Sequence, residues 1–91
     1  DYFFLLIAEN RFDEAIHLAE KYISTDSGEK INKAKEIESL LALSQAWHGK
    51  RDQVKAHDYM ELARALMKKT GCYYDKDILE ETEAMLAKAK G

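Results

Sequence analysis

The stretch that decides the fold is LIAENRFDEAI, residues 6–16, where one apolar run stops and a second apolar pattern begins. The first run ends near Asn10 and Arg11, and apolar residues then recur from Phe12 at intervals of three and four. The residues on this stripe are Phe12, Ala15, Ile16, Ala19, Tyr22 and Ile23. Such spacing is typical of an amphipathic helix. The stretch therefore predicts two helices joined by a tight turn.

A second stretch, LALSQAWHGKRDQVKA at residues 41–56, repeats this order of helix end, turn and helix start. Gly49 falls at its turn, and glycine readily adopts the left-handed conformation that ends many helices. Gly49 thus matches Asn10 of the first copy. Short connections of this kind favour antiparallel neighbours. The sequence therefore predicts two antiparallel helix pairs with their turns at Asn10 and Gly49.

The first three of five predicted helices lie on either side of a turn-rich linker. The first covers residues 1–9, the second begins at Phe12, and the linker occupies residues 24–28. The third covers about residues 29–48, after Asp26 and Glu29 at the spacing of a capping box. Its stripe residues cover more than one face, so we expect this helix to have neighbours on two sides. They are Ile37, Leu40, Leu41, Leu43, Ser44 and Trp47.

Two more helices complete the predicted set. Asp52 is placed to cap the fourth helix, and Gly71 is placed to end it. Its buried stripe is expected to hold Ala56, Tyr59, Met60, Ala63, Leu66 and Met67. Asp77 and Glu80 have capping spacing and mark the start of a fifth, weaker amphipathic helix.

The composition is that of a small helical protein. The chain has 91 residues, 46% hydrophobic and 34% charged, which suffices for one core but not for a second domain. Proline is absent and glycine occurs four times, so the turn residues that many short strands need are missing. We therefore expect an all-α fold and a single helical-repeat domain over residues 1–91. Because the first helix begins inside an apolar run without a capping residue, we expect a fragment of a longer repeat array.

Charge and cysteine content bear on partners and cellular setting. The net charge of −3 disfavours direct contact with nucleic acid, because free-standing nucleic-acid binders usually carry a basic excess. No apolar stretch approaches the ~20 residues of a membrane span, so no membrane contact is expected. Cys72 is the only cysteine, which excludes an internal disulfide and is compatible with a reducing cytoplasm. The expected location is cytoplasmic.

The histidines do not have the spacing of a helical metal site. His17, His48 and His57 lie on three different predicted helices. Glu14 and His17 have the Glu-x-x-His spacing used in di-iron bundles, but that site needs a second such motif and two more glutamates. A metal-binding bundle enzyme is therefore disfavoured. The alternative that Glu14 and His17 face solvent is favoured.

Other chemistry-bearing residues have simpler explanations. Cys72 could be a reactive thiol near Lys68 and Lys69, but free cysteine more often behaves as a small buried hydrophobe. The acidic residues around Glu81 suit the N-terminal part of a helix, where they complement its dipole. Neither a glycine-rich phosphate loop nor a nucleophile elbow is present. We therefore expect no enzymatic activity, no cofactor and no metal.

The two copies resemble the helix-turn-helix unit of tetratricopeptide repeats. Ala56 and Ala63, seven residues apart, match the family's paired small positions, whereas Ala15 is followed seven residues later by Tyr22. The resemblance covers about residues 3–72. It implies an α-α superhelix of antiparallel helix pairs, and the spacing from Asn10 to Gly49 is longer than the ordinary repeat of ~34 residues.

Within that superfamily, the chain is similar to the sensor region of MalT-type, LuxR-family transcriptional activators. The similarity rests on the longer repeat, the FDEA motif at residues 12–15, the LLAL motif at residues 40–43 and Gly71 followed by an acidic helix. It implies a region that takes part in inducer recognition and self-association, between an ATPase module and a DNA-binding module. A stand-alone tetratricopeptide-type adaptor for protein–protein interaction, unconnected to transcription, is the alternative function.

The resemblance also implies which residues line a concave groove, because the first helix of each pair faces it. The predicted groove residues are Phe4, Ile7, Ala8, Glu36, Ser39, Leu43, Ala46 and Trp47. Leu43 and Trp47 are four residues apart and share one helix face. The expected partner is a protein, a peptide or a small-molecule inducer, and a homodimer could form through the same face. The alternative for Trp47 is that it packs against the fourth or fifth helix.

Overall fold

The computed structural model describes residues 2–24, 33–73 and 75–90, and these ranges form five helices and no strand. The helices are α1 (Tyr2–Ala8), α2 (Phe12–Ser24), α3 (Lys33–Gly49), α4 (Gln53–Thr70) and α5 (Lys76–Lys90). The predicted all-α class is therefore confirmed. The predicted capping box of Asp26 and Glu29 lies outside the described residues.

Both predicted turns have the same hydrogen-bond pattern. At the end of α1, the Asn10 amide donates to the Ile7 carbonyl at 3.0 Å, and the Arg11 amide donates to Leu6 at 2.8 Å. At the end of α3, the Arg51 amide donates to His48 at 3.0 Å, and the Asp52 amide donates to Trp47 at 2.9 Å. These paired bonds are those of a Schellman motif, in which one residue takes the left-handed conformation.

The left-handed residues correct the repeat register inferred from the sequence. They are Asn10, with φ of 62°, and Arg51, with φ of 67°. The sequence predicts Gly49 in this role, but Gly49 lies two residues earlier, in the last turn of α3. The structural repeat therefore runs from Asn10 to Arg51, and we refer to this correspondence as the Asn10–Arg51 register. Ala15 and Ala56 also correspond, since each amide donates at 3.1 Å to the residue just before its helix.

Gly49 is explained by packing. A Cβ atom on Gly49 would lie 2.7 Å from Cδ1 of Phe12, and nearer still to Cε1 and Cζ of the same ring. The first residue of α2 thus lies directly against the last residue of α3, which fixes these two helices antiparallel to each other.

Helix α4 begins and ends as the sequence predicts. The Asp52 carboxylate accepts a hydrogen bond from the Lys55 amide at 3.1 Å, and Gly71 closes the helix with φ of 72° and a 2.8 Å bond to Met67. Helix α5 differs by a small shift: it starts at Lys76, so Asp77 lies in its first turn instead of capping it. The residue before the helix is Asp75, whose carbonyl accepts from the Leu79 amide at 3.0 Å.

The core consists of two clusters that share α3. One joins α3 with α1 and α2, and the other joins α3 with α4 and α5. Residues 39–46 of α3 are all buried, which explains why its sequence shows apolar residues on more than one face. Tyr22 departs from the predicted buried stripe, because its ring is largely exposed and contacts the Phe3 ring edge-on at 5.4 Å.

The helices contact their neighbours in a regular order. Helix α1 contacts α2 and α3, α2 contacts α3, α3 contacts α4 and α5, and α4 contacts α5. Among the described residues, α2 and α4 share no backbone contact. Helices α1, α3 and α5 therefore form one continuous layer, and α2 and α4 lie apart on its other side.

Candidate functional site

A groove lies on the surface of α1 and α2. Its volume is about 530 Å³, and it is open to solvent. Its lining residues are Leu6, Asp13, Glu14, His17, Leu18 and Lys21. Leu6 comes from α1 and the rest from successive turns of α2, so the Schellman turn at Asn10 sets the shape of the groove. Its two leucines are apolar, and charged or polar side chains surround them.

The charged groups along the groove are arranged by sign. At the end near the turn, the Arg11 guanidinium donates to Glu14 through Nε at 2.9 Å and to Glu9 through Nη1 at 3.2 Å. Hydrogen bonds to Glu14 and then to Glu9 raise the pKa of Arg11. Asp13 forms an ion pair with Lys50, which ties the start of α2 to the turn after α3. His17 and Lys21 lie farther along α2, so the groove runs from an acidic end to a basic end.

Helix α1 also has an exposed apolar residue that does not line the groove. Leu5 is 52% exposed, although it is a large aliphatic residue in the middle of a helix. In the Asn10–Arg51 register its counterpart is Ala46, which is fully buried in the cluster formed with α1 and α2. The first helix pair therefore leaves uncovered a face that the second pair has covered.

The corresponding surface of the second pair is occupied by its own tryptophan. Trp47 packs against both core clusters, and the Lys55 ammonium lies 4.1 Å from the centroid of its ring. A second ammonium, that of Lys50, lies 5.6 Å from the same centroid. Two cations beside one indole give favourable cation–π contacts. Trp47 is therefore partly exposed and packs against the cores of both helix pairs.

The residues predicted to line a concave groove are not brought together as one exposed surface. Ser39, Leu43 and Ala46 are buried, and Leu43 belongs to the cluster formed by α1, α2 and α3. Leu43 therefore does not line an exposed groove. The reason is that α1 and α2 cover α3 on this side, as the expectation of neighbours on two sides of α3 requires. Partly exposed residues of the predicted set are Phe4, Ile7, Glu36 and Trp47, and Ala8 is exposed.

The sequence does not single out the residues of this groove as a binding surface. It marks Glu14 and His17 as possible metal ligands and predicts that they face solvent, and the structure places both on the surface. The signal that could have found the groove is the correspondence of Leu6 with Trp47 in the Asn10–Arg51 register. That correspondence is hidden when Gly49, rather than Arg51, is aligned with Asn10.

Outside the groove, the environment of several titratable side chains is explained by their packing and hydrogen bonds. In the described ranges, no group of three or more His, Cys, Asp or Glu side chains is placed to hold a metal ion. Arg64 links α4 to α5 through Glu83, and this hydrogen bond raises the pKa of Arg64. Cys72 is half-buried against the cluster of α3, α4 and α5. Burial, and then the nearby Glu38, raise the pKa of Asp75.

None of the described helices is both long and apolar enough to cross a membrane. Comparisons with protein-family models, with curated proteins and with solved structures returned no match.

Proposed function

We propose that this chain is a non-catalytic helical-repeat segment that binds a protein partner through the α1–α2 groove. The observation that carries the proposal is the pair of helix hairpins related by the Asn10–Arg51 register, in which Leu5 of the first pair is exposed and its counterpart Ala46 in the second pair is buried. Each repeat in such a series contacts only the neighbouring repeats, and each helix pair uses the next to bury its apolar face.

The order of contacts supports tetratricopeptide-like packing. Helices α1, α3 and α5 are adjacent, whereas α2 and α4 are apart. When the helices of one layer are closer together than the helices of the other, the stack curves towards the closer layer and forms a superhelix. The long repeat and the buried Ala15 and Ala56 at matching positions agree with this arrangement.

The apolar character of the groove supports a binding role. Leu18 is partly exposed among charged side chains, Leu6 lines the groove although it is nearly fully buried, and α1 also exposes Leu5. Apolar surface with a polar rim is the usual composition of a protein-binding surface. The partner class is therefore a protein segment that places an apolar side chain against Leu18.

Affinity capture from an extract of the source cells tests this proposal. Leu18→Glu places a charge in the groove and is expected to abolish capture of a specific partner. Val54→Glu is the matched control, because Val54 is 73% exposed on α4 and lies outside the groove. Circular dichroism would confirm that both variants fold. Loss of the partner with both variants, or with neither, would contradict the proposed site.

Two settings for this function come from the resemblance in the sequence. In one, the chain is part of the sensor and oligomerisation region of a bacterial transcriptional regulator of the MalT type. In the other, it is a protein–protein adaptor of the tetratricopeptide type. The sequence of the full-length protein separates them: a nucleotide-binding loop before this segment or a helix-turn-helix after it supports the regulator. Their absence there would support the adaptor.

A further inference from the structure

Helix α5 packs against both helices of the second pair, on a face that is separate from the α1–α2 groove. We call this face of α3 and α4, which includes Gln45 and Arg64, the α3–α4 surface. We propose that α5 can leave the α3–α4 surface of its own chain and dock on that of a second copy, which gives a dimer by exchange of α5. This inference goes beyond the proposed function, because it concerns a different surface.

Helix α5 docks through one stripe of side chains. Leu79, Thr82 and Leu86 are buried, and their spacing of three and four places them on one face of the helix. Leu79 and Leu86 belong to the core cluster formed with α3 and α4. Such a stripe is typical of an amphipathic helix that binds an apolar surface as a ligand. The exposed face of α5 carries the charged residues Asp77, Glu80, Glu81 and Lys88.

Two polar contacts fix the position of α5 on this surface. The Gln45 amide donates to the Thr82 hydroxyl at 2.9 Å, and both residues are buried. At the rim, Arg64 of α4 forms an ion pair with Glu83 of α5. A buried polar group that loses its partner is costly, so the Gln45 contact favours this particular helix over other apolar segments. The α5 helix of a second copy has the same sequence and satisfies both contacts without any change in the surface.

The other four helices keep their own contacts when α5 leaves. Helix α3 packs directly against α4, and a separate cluster joins α3 to α1 and α2. The Ser44 hydroxyl also donates to the Ala56 carbonyl of α4 at 2.6 Å, and this contact is buried. Among the described residues, α5 shares no backbone contact with α1 or α2. Departure of α5 therefore uncovers apolar surface on α3 and α4 and leaves the order of the remaining helices in place.

Gly71 is the residue that directs α5 back onto its own chain. It ends α4 with φ of 72°, and its amide donates to the Met67 carbonyl at 2.8 Å. A Cβ atom at this position would meet nothing within 4 Å, so backbone conformation rather than space favours glycine. The chain contains no proline, so α4 can continue past residue 71 when Gly71 takes helical dihedral angles. Helix α5 would then point away from its own α3–α4 surface and be available to a second copy.

The balance between the closed monomer and the exchanged dimer depends on the connection between α4 and α5. Both forms bury the same stripe of α5 on the same surface. Within one chain, the short connection holds α5 at high effective concentration, so the closed form predominates in dilute solution. Higher chain concentration favours the dimer by mass action. A substitution in the connection is therefore expected to shift the balance without altering the docking surface.

Sedimentation equilibrium of Gly71→Ala, with Gly71→Asn as the matched control, tests the role of the connection. Alanine is strained in the left-handed conformation and is a better helix former than glycine, so both effects favour the exchanged form. We expect a dimer dissociation constant at least about tenfold lower than that of the wild type. Asparagine tolerates the left-handed conformation, so Gly71→Asn is expected to stay within about threefold of the wild type.

A charge exchange between two variants shows whether α5 is the segment that crosses. Arg64→Glu places acids against each other where α4 meets α5, and Glu83→Arg places two bases there. Exchange of α5 between these two variants restores an opposite-charge contact at both surfaces. By native mass spectrometry of an equimolar mixture, we expect a heterodimer whose dissociation constant is at least about tenfold lower than that of either homodimer.

The control mixture combines Lys69→Glu with Glu81→Arg, which change the net charges equally at exposed positions of α4 and α5. It is expected to give no preference for the heterodimer. The double variant Arg64→Glu/Glu83→Arg restores the contact within one chain and should associate like the wild type.

A folded Gly71→Ala chain that associates no better than the wild type would overturn the inference. So would a mixture of Arg64→Glu and Glu83→Arg without a preferred heterodimer, since any dimer of Gly71→Ala would then form through another surface. Equal heterodimer formation by the control mixture would also overturn it. If Gly71→Ala does not fold, the charge exchange decides alone. Neither test alters the α1–α2 groove, so capture of a partner by that groove stands or fails separately.

Discussion

At the scale of single residues, the contact between Phe12 and Gly49 decides how the two helix pairs meet. The aromatic ring occupies the space that any other residue at position 49 would need for its Cβ atom. Because Gly49 does not have a positive φ, this glycine serves close approach rather than left-handed geometry. The sequence reveals a glycine near a turn, but it does not reveal which of these two demands the glycine meets.

Substitution of Gly49 tests the close contact. Gly49→Ala is expected to destabilise the chain by about 1–2 kcal/mol, because overpacking outweighs the better helix propensity of alanine. In a Phe12→Ala background the same substitution should be neutral or slightly stabilising, which gives a coupling of at least about 1 kcal/mol in chemical denaturation. Additive effects of the two substitutions would show that the ring does not restrict position 49.

Asp75 makes stability depend on pH. It is only 7% exposed, and burial together with the negative charge of Glu38 raises its pKa in the folded state. The folded chain therefore binds a proton more tightly than the unfolded chain, and stability falls as pH rises from about 3.9 through the folded-state pKa. Asp75→Asn removes this loss and keeps a residue that can precede a helix.

The expected result is that Asp75→Asn equals the wild type in stability near pH 3 and is the more stable of the two at pH 7. Chemical denaturation at several pH values measures the difference between the two proteins, so the titration of other carboxylates largely cancels. A difference that stays constant with pH, or a wild type that is more stable at pH 7, would contradict the burial effect.

At the scale of elements, the turns are more alike than their sequences. Asn10 and Arg51 both take the left-handed conformation and close the same hydrogen bonds. Asparagine tolerates this conformation, whereas a long side chain such as arginine adopts it at a cost. The sequence pattern predicts the existence of both turns, since the apolar stripes break there. It does not predict that arginine, two residues after a glycine, takes the strained position.

Replacement of the left-handed residues by glycine tests the shared geometry. Arg51→Gly is expected to stabilise the chain by about 0.5–1 kcal/mol. The strain that glycine removes from the folded state is expected to outweigh the conformational entropy that it adds to the unfolded state. Asn10→Gly should change stability by less than about 0.5 kcal/mol, because asparagine already tolerates the conformation. Thermal or chemical unfolding can rank the two variants. A larger gain at Asn10 than at Arg51, or a loss at Arg51, would be inconsistent with the turn described.

Helix packing inside the second pair can be tested at Ala63. This residue is fully buried between helices, so Ala63→Phe is expected to cost about 1–3 kcal/mol by overpacking. Glu81→Ala on the exposed face of α5 is the control and should stay within about 0.5 kcal/mol. Denaturation curves that rank the two variants equally would show that α4 does not pack through its alanine stripe.

At the scale of the whole molecule, the number and order of the helices can be predicted from the sequence, but the residues that form the surface cannot. Stripes spaced by three and four residues, with breaks at Asn10 and Gly71, are sufficient to predict five helices. Whether Leu43 lies in the core depends on which helices cover α3, and that follows from tertiary packing. The groove likewise depends on tertiary packing, because Leu6 of α1 lines it together with residues of α2.

The most direct test of the account is an experimental structure of the chain, by NMR or crystallography. The account predicts two helix pairs related by the Asn10–Arg51 register, with the Arg11 amide bonded to Leu6 and the Asp52 amide bonded to Trp47. It also predicts that Leu6 and the α2 residues Glu14 and Leu18 line an open groove. A left-handed Gly49 in place of a left-handed Arg51, or a position of α1 against α2 that closes the groove, would contradict the account.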